Sequence, residues 1–486
     1  MNYTASLWGL LLLGAGSLFI GCESSPPSPT AAAEPLVLTV SDSVRYTPFP
    51  ANFNYPETRT TIDRWVATGD LPAIRQHAWS LFAGINQPTA SGHPVWETWY
   101  PVADVMSSPD TTPELQGTLH TVPPVVPMPP DTFSQPYPNP RFHTNCGAVA
   151  PLEGNRFIFT SFIGIPSSYY NQEVTDWIQG KALSKKVVLD SLQRLPIQNI
   201  PEAPSGAIIV KHLHWPVSGD PNEFTPLPVW DGDAGMDPMA YNGFETWERA
   251  VAITTQKNPP ATVDVSYLYR YTNRDQYHYE YKNVPTVSVD KFYYLKLDRA
   301  TLATFNAVDS CIVNNSFYYT FNRPFREGDY LALVATHIIT KEIEDWCMQT
   351  AWWSDQPNRG PFAQNKPTNL PPGTWSHYQT RTAYYMAKPN APGGKIHVSY
   401  NPYIELLIAE KNRIRSNCQN CHLRAGWPNH DEPFFIVDMV GSGNNFPTEK
   451  IPFYHTMQEG YISRQDTIFD GLVRTDMNWG IPDRAQ

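Results

Sequence analysis

The sequence predicts a mainly β body with a few added helices, followed by a short C-terminal segment of different character. Three observations carry this. The 486 residues include 48 prolines, about twice the usual share of roughly 5%, and proline breaks helices. Aromatic residues make up 13%, with 15 Trp and 26 Tyr, types that favour the pleated surface of a sheet. The apolar runs are short, alternate in polarity and are separated by turn residues. A β-sandwich or distorted barrel fits this pattern, and a helical bundle does not. Charged residues are only 17% against 41% hydrophobic, so the chain has the material for a core. The net charge of -11 argues against nucleic acid as a partner, because phosphate binding requires a basic surface.

The elements follow in order. Residues 60–85 place Ile62, Trp65 and Val66, then Ile74, Trp79 and Leu81, at helical spacing. Gly69 and Pro72 divide that stretch into two helices. Residues 109–140 read as a long proline-rich loop, and 167–195 as one or two amphipathic helices. Residues 206–217 alternate, which sets Ile208, Val210, His212 and His214 on one face of a strand. Further strands are expected at 246–253, 262–271, 289–297, 315–321, 328–343 and 394–405. No glycine-rich phosphate loop, Gly-x-Ser-x-Gly or His-Glu-x-x-His occurs, so nucleotide and standard hydrolase chemistry lack their carrier residues.

Residues 7–20 form an apolar run of signal-peptide length, shorter than a membrane span requires. The run ends in Phe19-Ile20-Gly21-Cys22, which resembles the lipobox of bacterial lipoproteins. That resemblance implies acylation of Cys22 as the new N-terminus. A Pro/Ser/Ala-rich stretch follows, a composition with little to bury and suited to a tether. The expected organisation is a signal peptide at 1–21, a tether at 22–40, a strand-rich body at 41–400, of one or two subdomains, and a C-terminal segment at 401–486.

That last segment carries the one specific motif, Cys418-Gln419-Asn420-Cys421-His422. Cys-x-x-Cys-His is the attachment signature of c-type haem. Two thiols three residues apart add to the vinyl groups of one haem, and the adjacent imidazole becomes the proximal iron ligand. The competing readings are zinc, which needs further ligands and has only His430 nearby, and a redox dithiol, which needs a βαβ context. Arg413, Arg415 and Arg424 flank the motif, either as partners of the haem propionates or as a solvated cationic patch. Trp427, Phe434 and Phe435 supply apolar cover. Candidates for the second axial ligand are His337, Met457 and Met477, with an open site as the alternative; Met439 follows His422 too closely. His337 shares an apolar strand face with Leu331, Leu333, Ala335 and Ile339.

Several further stretches join this motif: Phe244-Glu245-Thr246-Trp247, residues 336–346 and 352–357, Asn401-Pro402-Tyr403, and the closing 475–482. As a set over residues 75–486 they resemble a group of exported bacterial single-haem cytochrome c family proteins. The resemblance implies an architecture and a covalent haem c, and no activity. In the closing pattern this chain carries Met477 where the group has an aromatic residue.

Cys146, Cys311 and Cys347 lie outside these motifs; in an oxidising compartment the expected pair is Cys311–Cys347. His212 and His214 have the spacing for copper or zinc if a third ligand joins them, though ordinary sheet histidines are the simpler reading. The functional expectation is electron transfer by a lipid-anchored cytochrome of the cell envelope, at the outer membrane facing the periplasm or the cell surface, with a redox protein as partner. A haem enzyme or ligand sensor with an open iron, or a binding or adhesion module with structural haem, are the alternatives.

Overall fold

The computed structural model describes residues 46–107, 164–230, 247–271, 275–305, 307–321, 323–371, 373–386, 397–405, 417–428 and 469–485. The signal and tether, Cys22, Cys146, the 109–140 loop, Arg413, Arg415, His430, Phe434, Phe435, Met439 and Met457 lie outside them. All the described residues belong to one compact unit, Ser43–Gln486. Among them, no helix is long and apolar enough to cross a membrane.

The body is strand-rich, with antiparallel pairing dominant. Its large sheet has seven strands: β1 (Tyr100–Pro101), β2 (Ile165–Tyr170), β3 (Ile208–Val217), β8 (Tyr294–Lys296), β9 (Tyr330–Thr340), β10 (Cys347–Trp353) and β11 (Tyr378–Ala383). Their order is β1-β2-β3-β9-β10-β11, with β8 alongside the start of β9. A second sheet of four strands runs β4-β5-β7-β6. It comprises β4 (Thr225–Val229), β5 (Arg249–Thr254), β6 (Thr262–Tyr271) and β7 (Asp275–Ser288), with β5 and β7 parallel. Two short strands, β12 (Gly426–Trp427) and β13 (Val473–Arg474), pair inside the C-terminal segment.

The helices begin where capping chemistry predicts. In α1 (Arg59–Thr68) the Thr58 side chain accepts from the Thr61 amide, and Gly69 ends the helix at φ 68°. Asp70 caps α2 (Leu71–Ile85), with Pro72 in its first turn. Helix α3 spans Val102–Ser107, α4 Gln172–Gly180, α5 Lys186–Gln193, α6 Arg299–Leu302 and α7 Ala307–Phe321. The core explains the aromatic content. Trp79, Trp96, Trp215, Trp352 and Trp353 are all fully buried around the large sheet, and each large side chain contributes roughly 1.5–3 kcal/mol of burial.

Several sequence expectations are corrected. Residues 315–321 end helix α7 instead of forming a strand. Over the longer window Val313, Phe317 and Thr320 are buried at helical spacing, a period that seven residues are too few to display. Residues 167–170 belong to β2, and the helices start only after the Asn171 cap. Within 394–405 the described part holds one isolated bridge, Ser399 to Asn417, and no strand. His212 and His214 do share a face of β3: they pair with Ser167 and Ile165 of β2, and their rings lie 6.3 Å apart, while the register shift opposite Leu213/His214 leaves Val334 of β9 as the extra residue. Cys347 is a free thiol, so the Cys311–Cys347 disulfide is not formed. It packs with Ile62, Ile74, Ile343 and Tyr384, while the described side chains of α7 belong to a different cluster.

Candidate haem site

Helix α8 (Cys418–His422) is a single turn, and its cap fixes it in place. The Asn417 side chain accepts from the Asn420 amide at 2.9 Å. Its Nδ2 donates toward the carbonyls of Tyr385, Met386 and His397 at 3.0, 3.1 and 2.9 Å. One turn later, Gln419 Nε2 donates to the carbonyls of Trp346 at 2.7 Å and Asp345 at 3.2 Å. Asn417 and Gln419 therefore nail the turn to the β9–β10 and β11 ends of the large sheet. Three residues apart on a helix, Cys418 and Cys421 lie on the same side, and both are free thiols. Burial pushes the Cys421 thiol up to about 11 and the Cys418 thiol well above its usual range.

His422 follows at once. Its Nδ1 lies 2.8 Å from the Met477 carbonyl oxygen. A carbonyl only accepts, so Nδ1 carries the proton and Nε2 keeps its lone pair. Burial pushes the imidazole down to about 4, which keeps it neutral at physiological pH. This is the state an iron ligand needs, with the second ring nitrogen held by a protein acceptor.

The acceptor is itself fixed. Asp476 and Met477 are successive residues with positive φ, 48° and 62°, a sparsely populated conformation for residues with a Cβ. Asp476 Oδ1 meets Lys341 Nζ at 2.9 Å, and Asp476 Oδ2 accepts from the Ala203 amide at 2.9 Å. Thr475 accepts a backbone bond from Asn478 at 2.9 Å, and Asn478 Oδ1 accepts from Tyr170 Oη at 3.2 Å. The turn that presents the Met477 carbonyl is thus tied to β2, to the end of β9 and to the loop before β3.

The other predicted residues distribute unevenly. Trp427 packs in the same apolar cluster as Cys418, Leu423 and Met477, and its indole donates to Asp190 Oδ1 at 2.9 Å. Arg424 is 1% exposed, its Nε donates to the Asn420 carbonyl at 3.3 Å, and it acts electrostatically on Cys421. His337 is 4% exposed, with Nε2 3.0 Å from Glu405 Oε1 but no hydrogen bond at that nitrogen. Lys211, His337 and Glu405 all lie near enough to act electrostatically on His422. Sequence reasoning missed Asn417, Gln419, Lys211, Glu405, Lys341 and Asp476. Only Asn417 carried a local signal, a capping residue directly before the motif.

Among the described residues, no three His, Cys, Asp or Glu side chains gather as a metal-ligand cluster. A structural zinc needs four such ligands, so the zinc reading finds no partners for Cys418 and Cys421 there. A haem iron takes its equatorial ligands from the porphyrin and asks only an axial imidazole of the protein. The residues present fit that demand. Comparison with protein-family models, with curated proteins and with solved structures finds no match for this chain. The functional reading therefore rests on the motif and its geometry.

Proposed function

We propose that this chain is an exported single-haem c-type cytochrome lipoprotein that transfers electrons at the cell envelope. The observation that carries the reading is His422. It is neutral, half-buried and oriented by the Met477 carbonyl, directly after two thiols on the same helical turn. A bound haem would supply one-electron chemistry; Cys418 and Cys421 would hold it, and His422 Nε2 would face the iron. Met477 belongs to the proximal side on this reading. Its carbonyl oxygen lies at Nδ1, on the opposite side of the ring from Nε2. His337 is then the leading candidate for a second axial ligand. The test is acid-acetone extraction of the denatured protein followed by an absorption spectrum, with and without carbon monoxide. Haem is expected to stay with the chain, and complete extraction overturns the reading. Ready carbon monoxide binding that His337→Ala leaves unchanged would favour the open-site enzyme or sensor over electron transfer.

The envelope location and the redox-protein partner rest on the signal-like run, Cys22 and the tether. Cys22→Ser is expected to move the protein from the membrane fraction to the soluble periplasmic or secreted fraction. An unchanged membrane fraction contradicts a lipid-only anchor.

A further inference from the structure

Of the five large apolar or aromatic side chains exposed among the described residues, three fall close together: Val187 at 67%, Leu195 at 49% and Ile197 at 73%. Scattered singly, such residues need no explanation, but grouped and rimmed by polar residues they mark a surface that meets something. The local structure builds the group. Helix α5 turns Leu189 and Leu192 inward, to the apolar cluster of Cys418 and Trp427. Val187, Ser191 and Arg194, at spacings of four and three, form its exposed outer stripe. The loop that follows is clamped at its base. Gln198 Nε2 donates to the Gln193 carbonyl at 2.7 Å, and the Arg474 amide donates to the Gln198 carbonyl at 2.9 Å. Leu195, Pro196 and Ile197 are held out at its tip, all exposed.

The surround is basic in an acidic chain. Residues 181–197 carry Lys181, Lys185, Lys186 and Arg194 against one carboxylate, while the whole chain has a net charge of -11. That carboxylate, Asp190, accepts from the Trp427 indole at 2.9 Å. Lys181, Lys186 and Arg194 are exposed. Exposed Asp470, beside the Gly471 carbonyl that Gln193 binds, offsets one of these charges. The N-terminal stretch joins the body nearby. Tyr46, the first described residue, accepts from the Gln172 amide through Oη at 3.1 Å and stacks on Tyr100 at 5.5 Å. Gln172 opens α4 and Lys181 follows its end, so one helix of nine residues, roughly 13 Å long, separates that entry from the patch.

We propose that the outer side of α5 and the loop at 194–197 form a docking face for an anionic lipid bilayer. Lys181, Lys186 and Arg194 meet the phosphate headgroups, and Val187, Leu195 and Ile197 enter the interface. This rests on the envelope location in the proposed function. The tether favours lipid over an acidic protein. Residues 23–45 separate Cys22 from Tyr46, and a flexible chain of that length spans roughly 25–30 Å. An anchor at Cys22 thus keeps the patch at high effective concentration beside the membrane. One acyl chain holds weakly, and a basic patch supplies the second signal that firm attachment takes. The inner side of α5 holds the C-terminal segment, through Asp190 to Trp427 and Gln193 to Gly471, so docking brings the candidate haem segment to the membrane surface.

The test is cosedimentation of the purified full chain carrying Cys22→Ser, which has no acyl anchor. The vesicles are phosphatidylcholine alone and an equal mixture of phosphatidylcholine and phosphatidylglycerol. Binding through the apolar run at 7–20 is the same on both, so the excess on the anionic vesicles reads the patch. An excess that falls with added salt is expected. Adding Lys181→Glu with Arg194→Glu should cut it about tenfold or more. Adding Val187→Ser with Ile197→Ser should cut it several-fold. All four positions are exposed, so the circular dichroism spectrum should not change. No excess for the parent chain, or an excess that neither pair reduces, overturns the docking face. An excess unmoved by the charge reversal, together with slower haem reduction by flavodoxin as an acidic protein probe, assigns the patch to a protein partner and overturns the lipid reading. A wild-type chain found in the cytoplasmic fraction fails at the envelope location itself, and this face falls with it.

Discussion

A chain carrying Cys418→Ala together with Cys421→Ala is expected to lose all covalently held haem, while each single variant keeps one thioether. Mass spectrometry of the denatured chain gives the count directly. The structure adds a second expectation about when the bonds form. Thiolates, not thiols, react, and burial pushes both thiols above their usual range. Cys418 is 7% exposed, and its Sγ lies 3.7 Å from the Ser399 carbonyl. In the folded, haem-free protein Cys418 should therefore resist alkylation at neutral pH, and Cys421, which keeps some exposure, should react slowly. Both should react fully once the chain is unfolded in denaturant. On the proposed function, haem attachment would precede closure of the 417–428 segment against the sheet. Rapid labelling of Cys418 in the folded state would remove this ordering, and covalent haem surviving in the double alanine variant would remove the attachment assignment.

The parts legible in the sequence were those whose signal is local. Strand β9 shows as a largely apolar run and β3 as an alternating one, and the α1–α2 break is written in Gly69, Asp70 and Pro72. The attachment motif is local too. What the sequence did not show depends on register and long-range closure. Strands β10 and β11 carry Gln349, Thr350, Gln379 and Thr380, polar residues buried because the sheet is covered on both faces, so no clean alternation marks them. The acceptor for His422 lies 55 residues away and is a backbone carbonyl, which no side-chain pattern encodes. Lys211 meets His337 only through strand pairing, whereas the flanking arginines were prominent because they were near in sequence.

Lys341→Met should be the most destabilising single substitution at the site. Lys341 Nζ lies 2.9 Å from Asp476 Oδ1 and 2.9 Å from Glu202 Oε1, donates to the Glu344 carbonyl at 3.0 Å and sits 5.3 Å above the Trp346 ring. Glu202 is mostly exposed and returns to water when its partner is removed, but Asp476 is buried and does not. Removing one member of a buried pair costs about 3–5 kcal/mol. Burial already raises the Asp476 carboxyl, and Lys341 is the strongest influence holding it down. Without Lys341 its folded pKa rises further above the unfolded value. Folding then favours the protonated carboxyl, and that contribution is complete below the unfolded pKa and lost as pH rises through the folded one. The destabilisation should accordingly be large at pH 7 and shrink on acidification toward pH 5, and adding Asp476→Asn should recover much of it. Denaturant unfolding of the two variants at both pH values measures this. Because Asp476 precedes the residue whose carbonyl orients His422, Lys341→Met should also act on the midpoint potential in two opposed ways: the lost cation lowers it, and a loosened Nδ1 bond, which makes the imidazole a weaker donor, raises it. A loss below about 1 kcal/mol at pH 7, or one that grows toward pH 5, would show that the Lys341–Asp476 pair does not hold the turn beneath His422.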